Sequence, residues 1–193
     1  MNEPRNRTFI AGTAGVAAFS LFAAIIFSTL SAAAPDESQG LAAWAKITGV
    51  LQHPRCLNCH QLNAPLQSDL AQAHTPFVTR GPDGSGAGAM RCGVCHKDAN
   101  DLMTGTPGAP RWKLAPVSMV WQGLSSAELC AMLKDPKHNG GRDGPALIEH
   151  MKSEPLVLWG WAPGHGRAPI PIAHGDFVTL MHQWVASGMV CPK

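Results

Sequence analysis

Two five-residue runs carry the chemistry of this sequence: Cys56-Leu57-Asn58-Cys59-His60 and Cys92-Gly93-Val94-Cys95-His96. In each, two residues separate the cysteines. That spacing places both sulfurs where they can form thioethers to the two vinyl groups of one haem, and the histidine that follows lies under the iron and ligates it. A bare C-x-x-C has other readings. It can be a thioredoxin-like redox pair or half of a zinc site, and two pairs 36 residues apart can supply one site of four thiolates. The histidine directly after both pairs favours haem attachment. The expectation is two haem c groups, held by Cys56, Cys59, Cys92 and Cys95, with His60 and His96 as proximal iron ligands.

Each iron has a sixth position. An electron carrier fills it with His or Met, whereas an enzyme or gas sensor leaves it open or weakly held. The remaining histidines are His53, His74, His138, His150, His165, His174 and His182, and eight methionines add further candidates. His74, in a loop upstream of the second motif, is assigned to the second haem. His150, ahead of Trp159 and Trp161, is assigned to the first. His53 is too near Cys56 to reach over its own haem; it serves the neighbouring haem or caps a helix. Met119 is the best methionine candidate.

Cys130 and Cys191 lie outside the motifs, and an even leftover pair in an exported chain suggests a disulfide. The other reading is two separate buried thiols. Arg111, Arg142 and Arg167 are candidates to meet haem propionates, since Arg suits bidentate carboxylate recognition; each can equally be a solvated surface residue. Trp121, Trp159 and Trp161 sit in loops rather than on helix stripes, which fits aromatic walls over a flat cofactor.

The elements that must position these groups are helices joined by long loops. With 20 glycines and 16 prolines the chain is rich in turns. Residues 35–40 read as a polar linker. A helix is expected over 41–52, with Leu41, Trp44, Ile47 and Leu51 on one face, ended by His53-Pro54. Residues 63–89 and 98–118 read as irregular. Ser125 and Glu128 form a capping box for a helix to Lys134. A short helix over 145–151 and a longer one over 177–186, stopped at Gly188, complete the set. The fold class is mainly α, with cytochrome c-like helices and Gly/Pro-rich loops wrapped around two haems, in one domain over 35–193.

Residues 1–34 read as an export signal: Arg5 and Arg7, an uncharged run over 8–30, then Ser31, Ala32, Ala33 and Ala34. The run is long enough to span a bilayer, so a cleaved signal and a retained membrane anchor both stay open. Either places the chain in the periplasm, with membrane contact only through this segment. A formal net charge of +2 and the lack of a basic run argue against nucleic acid.

The chain resembles small di-haem c-type cytochromes of proteobacterial type. The series that carries this comprises His53-Pro54-Arg55 before the first motif, Arg80-Gly81, Met90-Arg91 before the second, Trp112-Lys113-Leu114-Ala115-Pro116, Asn139-Gly140-Gly141-Arg142 and Trp159-Gly160-Trp161-Ala162-Pro163-Gly164. It is similar to proteins labelled as an isoquinoline 1-oxidoreductase subunit, and it spans most of the chain after residue 40. The resemblance implies a cytochrome that takes electrons from a molybdenum hydroxylase. The expected function is therefore periplasmic electron transfer from a dehydrogenase to a respiratory acceptor, as a carrier and not an enzyme. The alternatives are a small di-haem enzyme of peroxidase type with one open haem, and a haem sensor.

Overall fold

In the computed structural model, residues 36–69, 72–164 and 166–193 are described. The expected signal or anchor at 1–34 and the candidate ligand His165 lie outside them. No helix among the described residues is long and apolar enough to cross a membrane.

The chain is mainly helical. Asp36 caps the first helix, α1 (Glu37–Leu51), its carboxylate accepting from the Gln39 N–H at 3.1 Å. The stretch expected to be a linker is thus the first turn of α1. Its residues are polar because that turn is exposed, and the aspartate supplies the acceptor that the free N–H groups there need. Ser125 and Glu128 form the expected capping box on α4 (Ser126–Lys134). Asp143 caps α5 (Gly144–Ser153), with Pro145 in the first turn, where its missing N–H costs nothing. The last long helix, α7 (His174–Ala186), begins three residues before the expected start. It ends at Ser187 and Gly188, whose φ of 81° is open to glycine without strain.

The core gathers where these helices meet. Trp44 of α1 packs on Trp184 of α7 with ring centroids 4.8 Å apart. Ile47, Leu51, Leu129, Leu133, Leu147, Phe177 and Met181 close around them, all but excluded from solvent. Each such side chain contributes about 1.5–3 kcal/mol through burial. Both indoles keep their N–H groups satisfied: Trp44 donates to Ser126 Oγ and Trp184 to the Val190 carbonyl, each at 2.9 Å. Cys130 and Cys191 are joined as a disulfide, tying α4 to the tail beyond α7.

Gly40 marks the closest approach of α1 to the end of α7. A Cβ there would run into the Ser187 side chain and Val190 Cγ2. Gly40→Ala should therefore destabilise the fold by about 1–3 kcal/mol through overpacking. A denaturant midpoint equal to that of the parent chain would contradict this.

The two chemistry-bearing motifs lie outside this core, on short turns: α2 (Pro54–Leu57) and α3 (Cys92–Cys95). The segments expected to be irregular contain two small antiparallel ladders. β1 (Leu66–Gln67) pairs with β2 (Gln72–Ala73), and β3 (Gly86–Ala87) pairs with β4 (Met90–Arg91). Two residues per strand are too few for a period to show. After α5, a further short helix α6 (Pro155–Leu158) leads into a 3-10 turn at Trp159–Trp161, so the two tryptophans expected in a loop sit on a helical turn.

Candidate functional site

α2 exists because Pro54 suits a first helical position and His53 caps it, its Nδ1 accepting from the Arg55 N–H at 3.2 Å. His53 is thus occupied as a cap for the turn that carries Cys56. The strand from Met90 leads directly into α3, so the β3–β4 ladder fixes where Cys92 begins.

Both motif histidines are held in the same way. His60 Nδ1 lies 2.7 Å from the Met119 carbonyl, and His96 Nδ1 lies 2.7 Å from the Pro107 carbonyl. A carbonyl only accepts, so Nδ1 carries the proton in both rings and the Nε2 lone pair is left for a ligand-binding role. A tryptophan then stacks on each imidazole. Trp121 lies on His60 with centroids 3.3 Å apart and planes 14° apart; Trp112 lies on His96 at 4.6 Å and 10°. Burial pushes the His60 pKa down to about 4, the Met119 hydrogen bond opposing and the charges of His150 and Arg80 adding. His96 is also lowered, chiefly by burial, with the Pro107 bond opposing and His74 adding. Both rings are therefore neutral near pH 7, the form that ligates metals.

The loops that supply these carbonyls are bonded to the motifs themselves. The Ala115 N–H donates to the Cys59 carbonyl at 3.1 Å, and the Trp121 N–H to the His60 carbonyl at 3.2 Å. Arg80 clamps the same region, donating from Nε to the Leu62 carbonyl at 2.7 Å, from Nη1 to the Ala115 carbonyl at 2.6 Å, and from Nη2 to the Gln61 carbonyl. Asn100 ties the second loop to the 3-10 turn. Its Oδ1 accepts from Trp159 Nε1 at 2.9 Å and from the Gly108 N–H at 3.0 Å, and its amide donates to the Ala162 carbonyl at 3.0 Å.

A second histidine stands near His96. The His74 and His96 ring centroids are 5.9 Å apart, nearly edge-on, and His74 Nδ1 is engaged by the Pro76 carbonyl at 2.8 Å. His150, the histidine assigned from sequence to the first motif, lies on α5, where burial lowers its pKa. The other candidates are placed differently. Met119 gives its carbonyl to His60 while its side chain belongs to the apolar core. His174 commits Nε2 to the Met151 carbonyl at 2.9 Å, His138 pairs with Asp135 at 2.8 Å, and His182 is exposed.

A cavity of about 710 Å³ opens beside His74 and His96, bordered by Cys92 and Cys95 and also by Cys59 of the first motif. That volume falls within the roughly 300–1,000 Å³ of cofactor clefts. Its charged lining is Arg55, Arg91, Lys113 and Arg167 against Asp69 alone. Such a wall accepts a flat apolar body that carries carboxylates. Of the arginines proposed for that role from sequence, only Arg167 borders the cavity. Arg111 pairs with Glu154 at 2.7 Å, and Arg142 donates to the Asn139 carbonyl at 2.7 Å. Local partners capture both. Arg55 went unnamed as a carboxylate partner in the sequence, where its neighbours in the first motif gave no hint of the second site.

The thiols of the first motif are shifted away from the range of a reactive redox pair. Burial pushes the Cys56 thiol up to about 12, with Cys59 adding, and the Cys59 thiol up to about 11, with Cys92 adding. Reactive C-x-x-C thiols are shifted the opposite way. Among the described residues no three His, Cys, Asp or Glu side chains converge as they would around one bare metal ion. Comparison with models of protein families, with curated proteins and with solved structures finds no match.

Proposed function

We propose that this chain is a periplasmic electron-transfer protein carrying two haem c groups. The reading rests on one repeated arrangement, Cys-x-x-Cys-His with the histidine proton locked on Nδ1 and a tryptophan stacked on the ring, joined at the second motif by another histidine 5.9 Å away. Two imidazoles that bind one metal from opposite sides, each through a bond of about 2 Å, hold their ring centres about 6 Å apart. His74 and His96 are at that separation. Haem iron supplies one-electron exchange.

The residues then divide the work. Cys56, Cys59, Cys92 and Cys95 hold the groups covalently. Met119 and Pro107 orient the proximal rings through their carbonyls, and His150 and His74 take the distal positions. Filling all axial positions leaves no place for peroxide to bind, which favours a carrier over an enzyme. Cys59 and Cys92 border the same cavity, so the two attachment points would be neighbours, as conduction between centres requires. The Cys130–Cys191 disulfide suits an exported protein, and export is the task assigned to residues 1–34. The partners are a dehydrogenase donor, of molybdenum-hydroxylase type by the resemblance, and a respiratory acceptor.

The intact mass of the protein, matured with a cytochrome c assembly system, should exceed that of the apo chain by two haem units. A mass showing one haem or none would remove the proposal. A haem that is high-spin and binds peroxide in the unaltered protein would turn it toward a peroxidase.

A further inference from the structure

Arg55 belongs to the first motif by sequence and to the second site by position. It directly precedes Cys56 on α2, yet its side chain borders the cavity shared by His74 and His96. That side chain is only 1% exposed. Its Nη2 pairs with Asp69, and its Cζ lies 5.6 Å from the Trp159 ring centroid. Its Nε has no hydrogen-bond partner among the described residues. A buried donor without an acceptor costs about 1–3 kcal/mol, more when charged. Asp69 is 45% exposed and its other oxygen accepts from the Ala168 N–H at 3.2 Å, so it offsets the buried charge only in part.

The other cations on the cavity wall are less suited. Arg91 is half exposed and paired with Asp83 at 2.9 Å, and Lys113 is exposed. Arg167 donates to the Gly105 carbonyl at 2.7 Å. Arg55 alone combines deep burial with a donor that lacks an acceptor. It also begins a run of ring contacts toward the second site: Trp159 meets Trp112 edge-on at 4.9 Å, and Trp112 stacks on His96.

We infer that the Arg55 guanidinium pairs with a carboxylate of the group held by His96, and so places one buried positive charge between the two centres. The inference rests on the two-haem reading, in which that carboxylate is a haem propionate. Because a cation beside a haem disfavours the ferric state, Arg55 holds the potential of the second centre up, while Asp69 holds it down.

The test is a potentiometric titration of the complete holoprotein followed by electron paramagnetic resonance. The ferric signal that His74→Ala alters identifies the second centre. Arg55→Gln should lower the midpoint potential of that centre, Arg55→Lys should restore most of the loss, and Asp69→Asn should raise it. A fully haem-loaded Arg55→Gln protein with an unchanged second-centre potential overturns the inference. Should Arg55→Gln fail to mature, the half-exposed Asp69→Asn variant decides: a raised potential supports the inference and an unchanged one overturns it. An unaltered chain that carries no covalent haem defeats the underlying reading instead.

Discussion

If the chain carries the two proposed haems, His74→Ala should turn one of them high-spin or open it to carbon monoxide, and leave the other as it was. The expectation follows from the 5.9 Å separation of the His74 and His96 rings and from the engagement of His74 Nδ1, which leaves its Nε2 for iron. Alanine supplies no ligand. His150→Ala should do the same to the haem of the first motif, since His150 is the histidine whose charge reaches His60. With both distal histidines in place, both centres should be six-coordinate and low-spin, at potentials below those of His/Met sites, because Met raises the potential. Absorption and magnetic spectra of the two variants decide this. If neither replacement alters a spectrum, the distal assignment fails. Two changed haems in a single variant would show that the sites are not independently ligated.

Replacing Cys130 and Cys191 together by alanine should cost about 4 kcal/mol of stability, because the bridge closes a loop of 61 residues. A domain has only about 5–15 kcal/mol in total. At this size the loss corresponds to a fall of roughly 10 °C in melting temperature. Calorimetry of the oxidised protein against the double variant measures it, and peptide mapping without reductant should recover the linked pair. A loss under about 1 kcal/mol would mean that the tail is held by other contacts, such as the Trp184 bond to the Val190 carbonyl.

The parts of the fold legible from sequence are those coded locally. The capping box at Ser125 and Glu128 requires only four residues to be recognised, and the apolar spacing of Phe177, Leu180, Met181 and Trp184 marks α7 by itself. The start of α1 was hidden because Glu37, Ser38 and Gln39 are polar in a linker and equally polar in an exposed first turn. Only Asp36 as a cap separates the two cases. The pairing of Cys130 with Cys191 followed from parity in an exported chain, without geometry.

The site divides along the same line. Cysteines and proximal histidines are adjacent in sequence and could be read directly. The carbonyls of Met119 and Pro107 could not, because any residue type offers a carbonyl and its value comes from where the loop passes. Met119 drew attention for its sulfur, and in the structure its carbonyl is what meets His60. Trp121 was visible as a loop tryptophan and Trp112 only as part of the resemblance, but stacking on particular imidazoles is a long-range relation. Arg111 and Arg142 were captured by Glu154 and Asn139, whereas Arg55 is carried by α2 to the far side of a neighbouring site.

The two cysteine pairs differ in their access to solvent, and this sets up a race during maturation. Cys95 is exposed, whereas Cys56, Cys59 and Cys92 are each partly covered, and burial raises the pKa of those three above that of an ordinary thiol. Thioether formation needs the sulfur to meet a vinyl group. At the second motif that encounter stays open after the helices have packed. At the first it competes with closure of the chain around Cys56. Under the two-haem reading, a fast-folding chain would trap a form modified only at the second motif, and slower folding would favour the doubly modified product. The proportion of singly loaded chains is therefore a kinetic record of which process finished first.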